Sequence, residues 1–223
     1  MRKGEKRRQE LVDTAAALFI DRGYENTAIN DILDAVGCSK GSFYHHFESK
    51  MELLEEIARQ RAAQGFEAYA GESDAPPLES LNRLFYWACP FRQGEEGFLA
   101  SLMELMRSRQ SASLEQAFRM GVDALFYPAF LRALSRAEEY PATEEAERSL
   151  IWQSYLSACL YILRQAAGSL PREGRERAVR LLRALRQQLE SALYLPYGSL
   201  VIIQAEEMAQ VLLEALGKAD ALA

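Results

Sequence analysis

Residues 27–46 read TAINDILDAVGCSKGSFYHH, two short helical patterns that meet at a glycine. Ile29, Ile32, Leu33 and Val36 recur at the i, i+3, i+4, i+7 spacing of one helix face. Thr27 stands where an N-cap is wanted, and Gly37 breaks the pattern. Ser39 then offers a cap for a second segment running to His46, with Phe43 and Phe47 on one face. A pair of this size has the proportions of a helix-turn-helix. Ala35, Gly37 and Cys38 are small where the two helices would cross, and Ile32, Val36 and Phe43 are apolar where they would pack.

Outward from this pair the helical pattern continues on both sides. Upstream, Leu11, Ala15, Leu18 and Phe19 form one face of a helix over Lys6–Arg22, closed by Gly23. Downstream, Ser49 to Glu52 reads as a capping box. It opens a helix with Leu53, Leu54 and Ile57 that is expected to run to about residue 70. Gly71 to Pro77 is a break rich in Gly, Ser, Asp and Pro. Helices are then expected over 78–88, 95–107 and from a Ser113–Gln116 capping box to about 137, where Pro128 should kink or split the helix. Three more follow: from Thr143 to Gly168, from Pro171 to about Tyr194, and from Ser199 to Leu216, closed by Gly217. No segment alternates with period two. The reading is all-α, with about nine or ten helices in two parts: a three-helix domain over 1–50 and a larger helical domain over 51–223, joined by the helix from about 49 to 70.

The 223 residues are 49% hydrophobic and 26% charged, a globular balance that excludes wholesale disorder. The three cysteines, Cys38, Cys89 and Cys159, cannot make a disulfide framework, and no Cys/His cluster has zinc spacing. His45 and His46 are the only histidines, and adjacent helical residues do not share a face. No metal or cofactor is expected. Neither a Gly-rich phosphate loop nor a nucleophile beside a base is visible, so an enzyme is not expected. Leu150 to Leu163 is too short and too interrupted by Gln153, Ser154 and Ser157 to span a bilayer. No targeting segment is read at the N-terminus. A cytoplasmic location is the expectation.

The formal charge is −6, which argues against nonspecific coating of nucleic acid. Its distribution is uneven. Residues 1–8 carry net +4, residues 1–50 are neutral, and the remainder holds the whole −6. The second helix of the pair presents Ser39, Lys40, Ser42, Tyr44 and His45 outward. A cation, hydroxyls and an aromatic suit a major groove with its acceptors, donors and thymine methyls. Thr27, Tyr44, His45 and Lys50 surround that face as groups suited to phosphate. The spacing alone favours, by a little, an ordinary three-helix packing unit with a polar face.

The stretch RRQELVDTAAALFIDRGYENTAINDILDAVGCSKGSFYHHFESKMELLEEI, about residues 6–58, resembles the DNA-binding domain of the TetR family of transcriptional regulators. The features that carry the resemblance are Ala17–Phe19 and Arg22–Tyr24 closing the first helix, Thr27 opening the second, Ile29, Ile32, Val36 and Gly37 around the turn, and Lys40 through Phe47 with Lys50 beyond. The resemblance implies that Lys40, Gly41 and Ser42, with Asn30 beside them, face base edges. Ser39 opens that helix, and Thr27, Tyr44, His45 and Lys50 would hold phosphates. Gly41 offers backbone only. Lys3, Lys6, Arg7 and Arg8 could reach a phosphate or the minor groove. The implied partners are a palindromic double-stranded operator, a second copy of the chain and a small-molecule effector. The implied function is a ligand-responsive regulator, foremost a repressor. The alternatives are a helical small-molecule carrier or an all-α enzyme without DNA binding.

The remaining residues hold 17 of the 22 aromatic side chains, including Trp87 and Trp152. Phe85 to Phe91 is the densest cluster, and consecutive aromatics cannot all face one core. An apolar or amphipathic ligand is expected among Phe85, Trp87, Cys89, Phe91, Phe98, Met103, Met106, Phe126, Phe130 and Tyr155. Cys89 is also a candidate thiol sensor. The helix over 143–168 is apolar nearly all round at Leu150, Ile151, Trp152, Tyr155, Cys159, Ile162 and Leu163. It is expected to pair with 172–194 or 199–216 in a homodimeric four-helix interface.

Overall fold

The computed structural model describes residues 3–70, 75–107, 111–136, 144–168, 171–201 and 204–222. α1 (Lys3–Arg22) buries Leu11, Val12, Ala15 and Phe19. α2 (Ile29–Val36) begins from the extended Ala28, whose N–H donates to the Asp31 carboxylate at 2.7 Å. It ends at Gly37, where φ is +67°, a left-handed conformation that a side chain would strain. α3 (Lys40–Tyr44) is capped by Ser39, whose Oγ accepts the Ser42 N–H at 3.3 Å. It stops two residues short of the expected His46. Ile32, Leu33, Phe43 and Phe47 meet Phe19 and the start of α4 (Lys50–Ala70) in one core. The Ser49 hydroxyl caps α4 by accepting the Glu52 N–H, while the Glu52 carboxylate reaches Glu48 instead of closing the box on Ser49.

Thr27 is a correction. The N-cap is Ala28, and Thr27 is fully buried with its hydroxyl donating to the Gly23 carbonyl at 2.8 Å. A short polar side chain that can satisfy a carbonyl inside the turn is drawn inward by that bond.

The rest of the chain is α5 (Pro77–Ala88), α6 (Glu96–Met106), α7 (Ser111–Ser135), α8 (Glu145–Ala167), α9 (Pro171–Ala192) and α10 (Ala205–Leu222). The described residues thus form ten helices and no strand, an all-α fold. Most of the expected break over 71–77, Thr143, and Ile202 with Ile203 lie outside the described residues. α7 starts ahead of the Ser113–Gln116 signal and runs through Pro128 as one helix. Phe126, Ala129, Phe130 and Ala133 are buried on both sides of that proline, and their packing outweighs its lost N–H. The last helix begins six residues later than expected and passes through Gly217. The connection before it is pinned from elsewhere: Glu190 accepts the Leu200 N–H at 2.9 Å, and the Asn82 amide donates to the Ser199 carbonyl at 2.9 Å.

α8 and α10 also differ from the expected picture of exposed apolar stripes. Of the seven apolar α8 residues, Ile151, Trp152, Tyr155, Cys159, Ile162 and Leu163 are buried within this chain, and Leu150 is 68% exposed. Met208, Ala209, Val211, Leu212 and Leu216 of α10 are buried against α6, α8 and α9. These residues are core of the single chain first.

Candidate nucleic-acid interface

The turn at Gly37 and the cap at Ser39 set α3 so that one face enters the core and the other meets solvent. Phe43 fills the core, in contact with Phe47 at 6.0 Å between ring centroids. Ser39, Lys40, Gly41, Tyr44 and His45 are exposed, Ser42 is half-buried, and Asn30 of α2 is exposed beside them. Tyr44 is 55% exposed yet held edge-on against Phe43 at 5.3 Å. His46 lies 4.9 Å from His45, and burial, then the neighbouring His45 and Arg8, lower its pKa.

Two expected phosphate ligands are turned inward. Thr27 is buried, as described. Lys50 donates to the Tyr24 carbonyl at 2.7 Å and the Thr27 carbonyl at 3.0 Å, with its ammonium 4.1 Å from the Tyr24 ring centre. Burial lowers its pKa. It closes the connection between α1 and α2 from inside, because carbonyls left free by that turn need a donor. The basic N-terminus is likewise partly used up. Arg7 donates to the Val36 carbonyl at 3.3 Å and pairs with Glu10 at 2.9 Å. Arg8 pairs with Glu56 at 2.9 Å and lies over the Phe47 ring at 4.9 Å. Lys6 is exposed, and the Lys3 side chain lies outside what is described.

The unit is clamped to the helices behind it by groups that no local signal announces. Glu104 of α6 accepts the N–H of Tyr24 at 2.8 Å and of Glu25 at 3.1 Å. Ser101 donates to the Phe19 carbonyl at 2.8 Å. At Gly97 a Cβ would come within 2.7 Å of Ile20, so glycine lets α6 approach α1. On the α4 side, Glu56 receives Arg8 at 2.9 Å, Arg59 at 2.6 Å and Gln60 at 2.9 Å. The Arg8 hydrogen bond foremost holds its pKa at about 2 against an ordinary 4.5. A depressed carboxylate contributes stability above the unfolded pKa and loses it as pH falls through the folded one. Glu56→Gln should therefore cost about 1 kcal/mol at pH 7, discounted for partial exposure. The gap from the parent protein should close as pH falls from 4.5 to 2, read from urea midpoints across that range.

The expected pocket residues divide. Phe85, Phe130, Tyr155 and Trp152 pack ring against ring, with Phe85 4.9 Å from Tyr155 and Phe130 5.5 Å from Trp152. The Tyr155 hydroxyl donates to the Phe85 carbonyl at 2.5 Å. Phe85, Met103, Met106, Phe126, Phe130 and Tyr155 are buried in the core and line none of the hollows described below. Trp87, Cys89 and Phe98 do line a cleft between α4, α6 and α7, with Arg61, Arg92 and Glu95 at its rim, but its volume is only about 30 Å³. Phe91 borders a separate hollow of about 300 Å³ beside α10. A groove of about 590 Å³ runs between α4 and α7 past Arg59, Gln116, Met120 and Gly121, none of them expected from sequence. Alternate residues of 85–87 face opposite ways, so the aromatic run is shared between core and cleft. Cys89 and Cys159 are buried beside Tyr155, and burial pushes the Cys159 thiol up.

Residues 11–57 match the family described as bacterial regulatory proteins, tetR family. The HTH-type transcriptional repressor KstR2 of Mycobacterium tuberculosis is 44% identical over 81 residues, which is 35% of this chain and 40% of that repressor. The matched stretch is thus well under half the length of that relative. Among solved structures, a TetR-family transcriptional regulator from Pectobacterium atrosepticum superposes with a TM-score of 0.54 at 22% identity, covering 88% of this chain and 99% of the other. FadR from Bacillus subtilis in complex with stearoyl-CoA superposes with a TM-score of 0.55 at 13% identity, covering 83% and 97%. At these identities the two structures speak to the fold, which extends the likeness from the N-terminal helices to most of the chain. Residues 11–57 thus match the DNA-binding part of the bacterial regulatory proteins of the tetR family, and the all-helical fold is similar to structures of that family over most of the chain.

Proposed function

We propose that the protein is a ligand-responsive transcriptional repressor that binds a palindromic operator as a homodimer and is released by a small amphipathic molecule. Residues 1–50 are its DNA-binding domain, and residues 51–223 bind the effector and the second copy. The observation that carries this reading is the exposed face of α3, where Ser39, Lys40, Gly41, Tyr44 and His45 stand free of the core that Phe43 anchors. Lys40, Ser42 and Asn30 read base edges. Tyr44 and His45 hold phosphates, while Thr27 and Lys50 support the unit from inside. KstR2, the repressor matched above, supports the sign of regulation, and the stearoyl-CoA in the FadR structure supports a ligand within this fold.

A two-fold operator requires a two-fold protein. Leu150 and Tyr161, 68% and 51% exposed on one side of α8, support that helix as the centre of the interface. α9 packs beside it and α10 also touches it, and the apolar faces of both are covered within the chain, so either can complete the interface with α8. Dimerisation would set the two α3 helices in successive major grooves about 34–36 Å apart.

Selection of bound duplexes from a random pool, at stated salt, tests the reading. Recovery of one palindrome is expected, and recovery of unrelated sequences would sink it. Against that palindrome, Lys40→Ala should weaken binding by about 1–3 kcal/mol and relax preference at one position of each half-site. A uniform loss across sequences in a titration would instead make Lys40 a phosphate contact.

A further inference from the structure

Glu95 sits between two arginines at the mouth of the α4–α6–α7 cleft. Its Oε1 accepts from Arg92 Nη2 at 3.0 Å, and its Oε2 accepts from Arg61. The guanidinium groups are themselves held: Arg61 lies 4.5 Å from the Phe98 ring centre and Arg92 5.5 Å from that of Trp87. Arg92 also donates to the Trp87 carbonyl and occupies space left by Gly65, where a Cβ would overlap its guanidinium. The three side chains are only 24%, 10% and 18% exposed for Arg61, Arg92 and Glu95. Behind them the lining turns apolar at Ala62, Leu102, Phe118 and Val122. Two cations against one anion leave this rim with an excess positive charge, which is costly in a half-buried place.

The seat is shaped for a carboxylate: each oxygen accepts a charge-assisted hydrogen bond from its own guanidinium. Glu95 is also the residue from which α6 starts, and its side chain makes no cap for that helix. Within the next three turns, α6 carries Gly97, Ser101 and Glu104, the groups that grip α1 and the turn after it.

We propose that the cleft takes an amphipathic carboxylate, whose headgroup replaces Glu95 between Arg61 and Arg92 while its apolar body parts α4 from α7. Resting on the regulator reading above, the proposal names the effector class and the route of its signal. Glu95 is a resident stand-in for the ligand. Its displacement frees the start of α6, and the far end of that helix shifts the clamp on the DNA-binding unit. Because the empty cleft holds only about 30 Å³, the ligand binds the opened form, and its apparent affinity is scaled down by how rarely that form occurs.

The test uses the full chain and three probes of equal chain length below their micelle concentrations: dodecanoate, dodecanol and dodecyltrimethylammonium. Binding is read from the change in tryptophan emission that Trp87→Phe abolishes and from release of the selected duplex. Dodecanoate should bind and release DNA, while the alcohol and the cation should not. Glu95→Gln removes the competing charge and should tighten dodecanoate binding about tenfold, and Arg61→Gln should weaken it about tenfold. Circular dichroism confirms that both variants are folded. Equal binding of dodecanol, or a Glu95→Gln protein that binds dodecanoate no better, overturns the proposal even when a palindrome has been recovered. Arg61-dependent binding by a protein that selects no duplex supports the carboxylate seat and overturns the regulator reading instead.

Discussion

Truncating Phe43 to alanine is expected to cost about 3–5 kcal/mol and to abolish operator binding. Phe43 is fully buried in the same core cluster as Phe19, Ile32 and Phe47, which α1, α2 and α3 share. A unit of about fifty residues has a total stability of only about 3–7 kcal/mol at ordinary values per residue, so the loss is comparable to the whole. Both tryptophans lie outside this unit. Urea unfolding of Phe43→Ala should therefore lose far-ultraviolet ellipticity well before tryptophan emission changes. Coincident transitions would show that the α6 clamp on α1 makes the entire chain one cooperative body.

Trp152→Ala should cost a similar figure of about 3–5 kcal/mol, this time among the later helices. The indole is fully buried, lies 5.5 Å from Phe130 and 5.7 Å from Tyr155, and donates to Asp123 Oδ1 at 2.7 Å. Trp152→Phe separates volume from hydrogen bond. It keeps most of the ring stack and removes the N–H, and Asp123 retains the Gln153 amide at 3.0 Å. Its cost should be about 1–2 kcal/mol. Urea midpoints of the two variants decide the matter. Equal losses would mean that the Asp123 bond, not the packed ring, secures α8 to α7.

The two predictions fall on residues that differed in how readable they were. Phe43 was legible because its neighbours are local: a glycine turn, a serine cap and a helical repeat within twenty residues place it inside. In the sequence, Trp152 is one of many apolar α8 residues expected at a dimer surface. Its burial depends on Phe130 and Tyr155 rings and on Asp123, partners that sequence spacing does not bring together. The same division runs through the interface. The exposure of Gly41 and His45 follows from their position opposite Phe43 on a short helix, and that of Ser39 and Lys40 from their place at its first turn. Thr27 and Lys50 look equally available in sequence, yet the carbonyls of the α1–α2 connection claim both. The ligand region was legible only in part, since an aromatic residue that lines a cleft and one that fills a core have the same composition and period.

Local order along the chain was enough for the all-α class and the helix-turn-helix, because helix periodicity, glycine stops and serine caps act over a few residues, and the order of residue types over about 6–58 was enough for the resemblance to the TetR family. Tertiary packing alone decided where α10 begins, which polar side chains turn inward, how Pro128 stays within α7 and where a carboxylate lies between two arginines. Several of those outcomes depend on groups far apart in sequence competing for the same hydrogen bonds and the same buried space. Asn82 reaching Ser199 and Glu104 reaching Tyr24 are two of them.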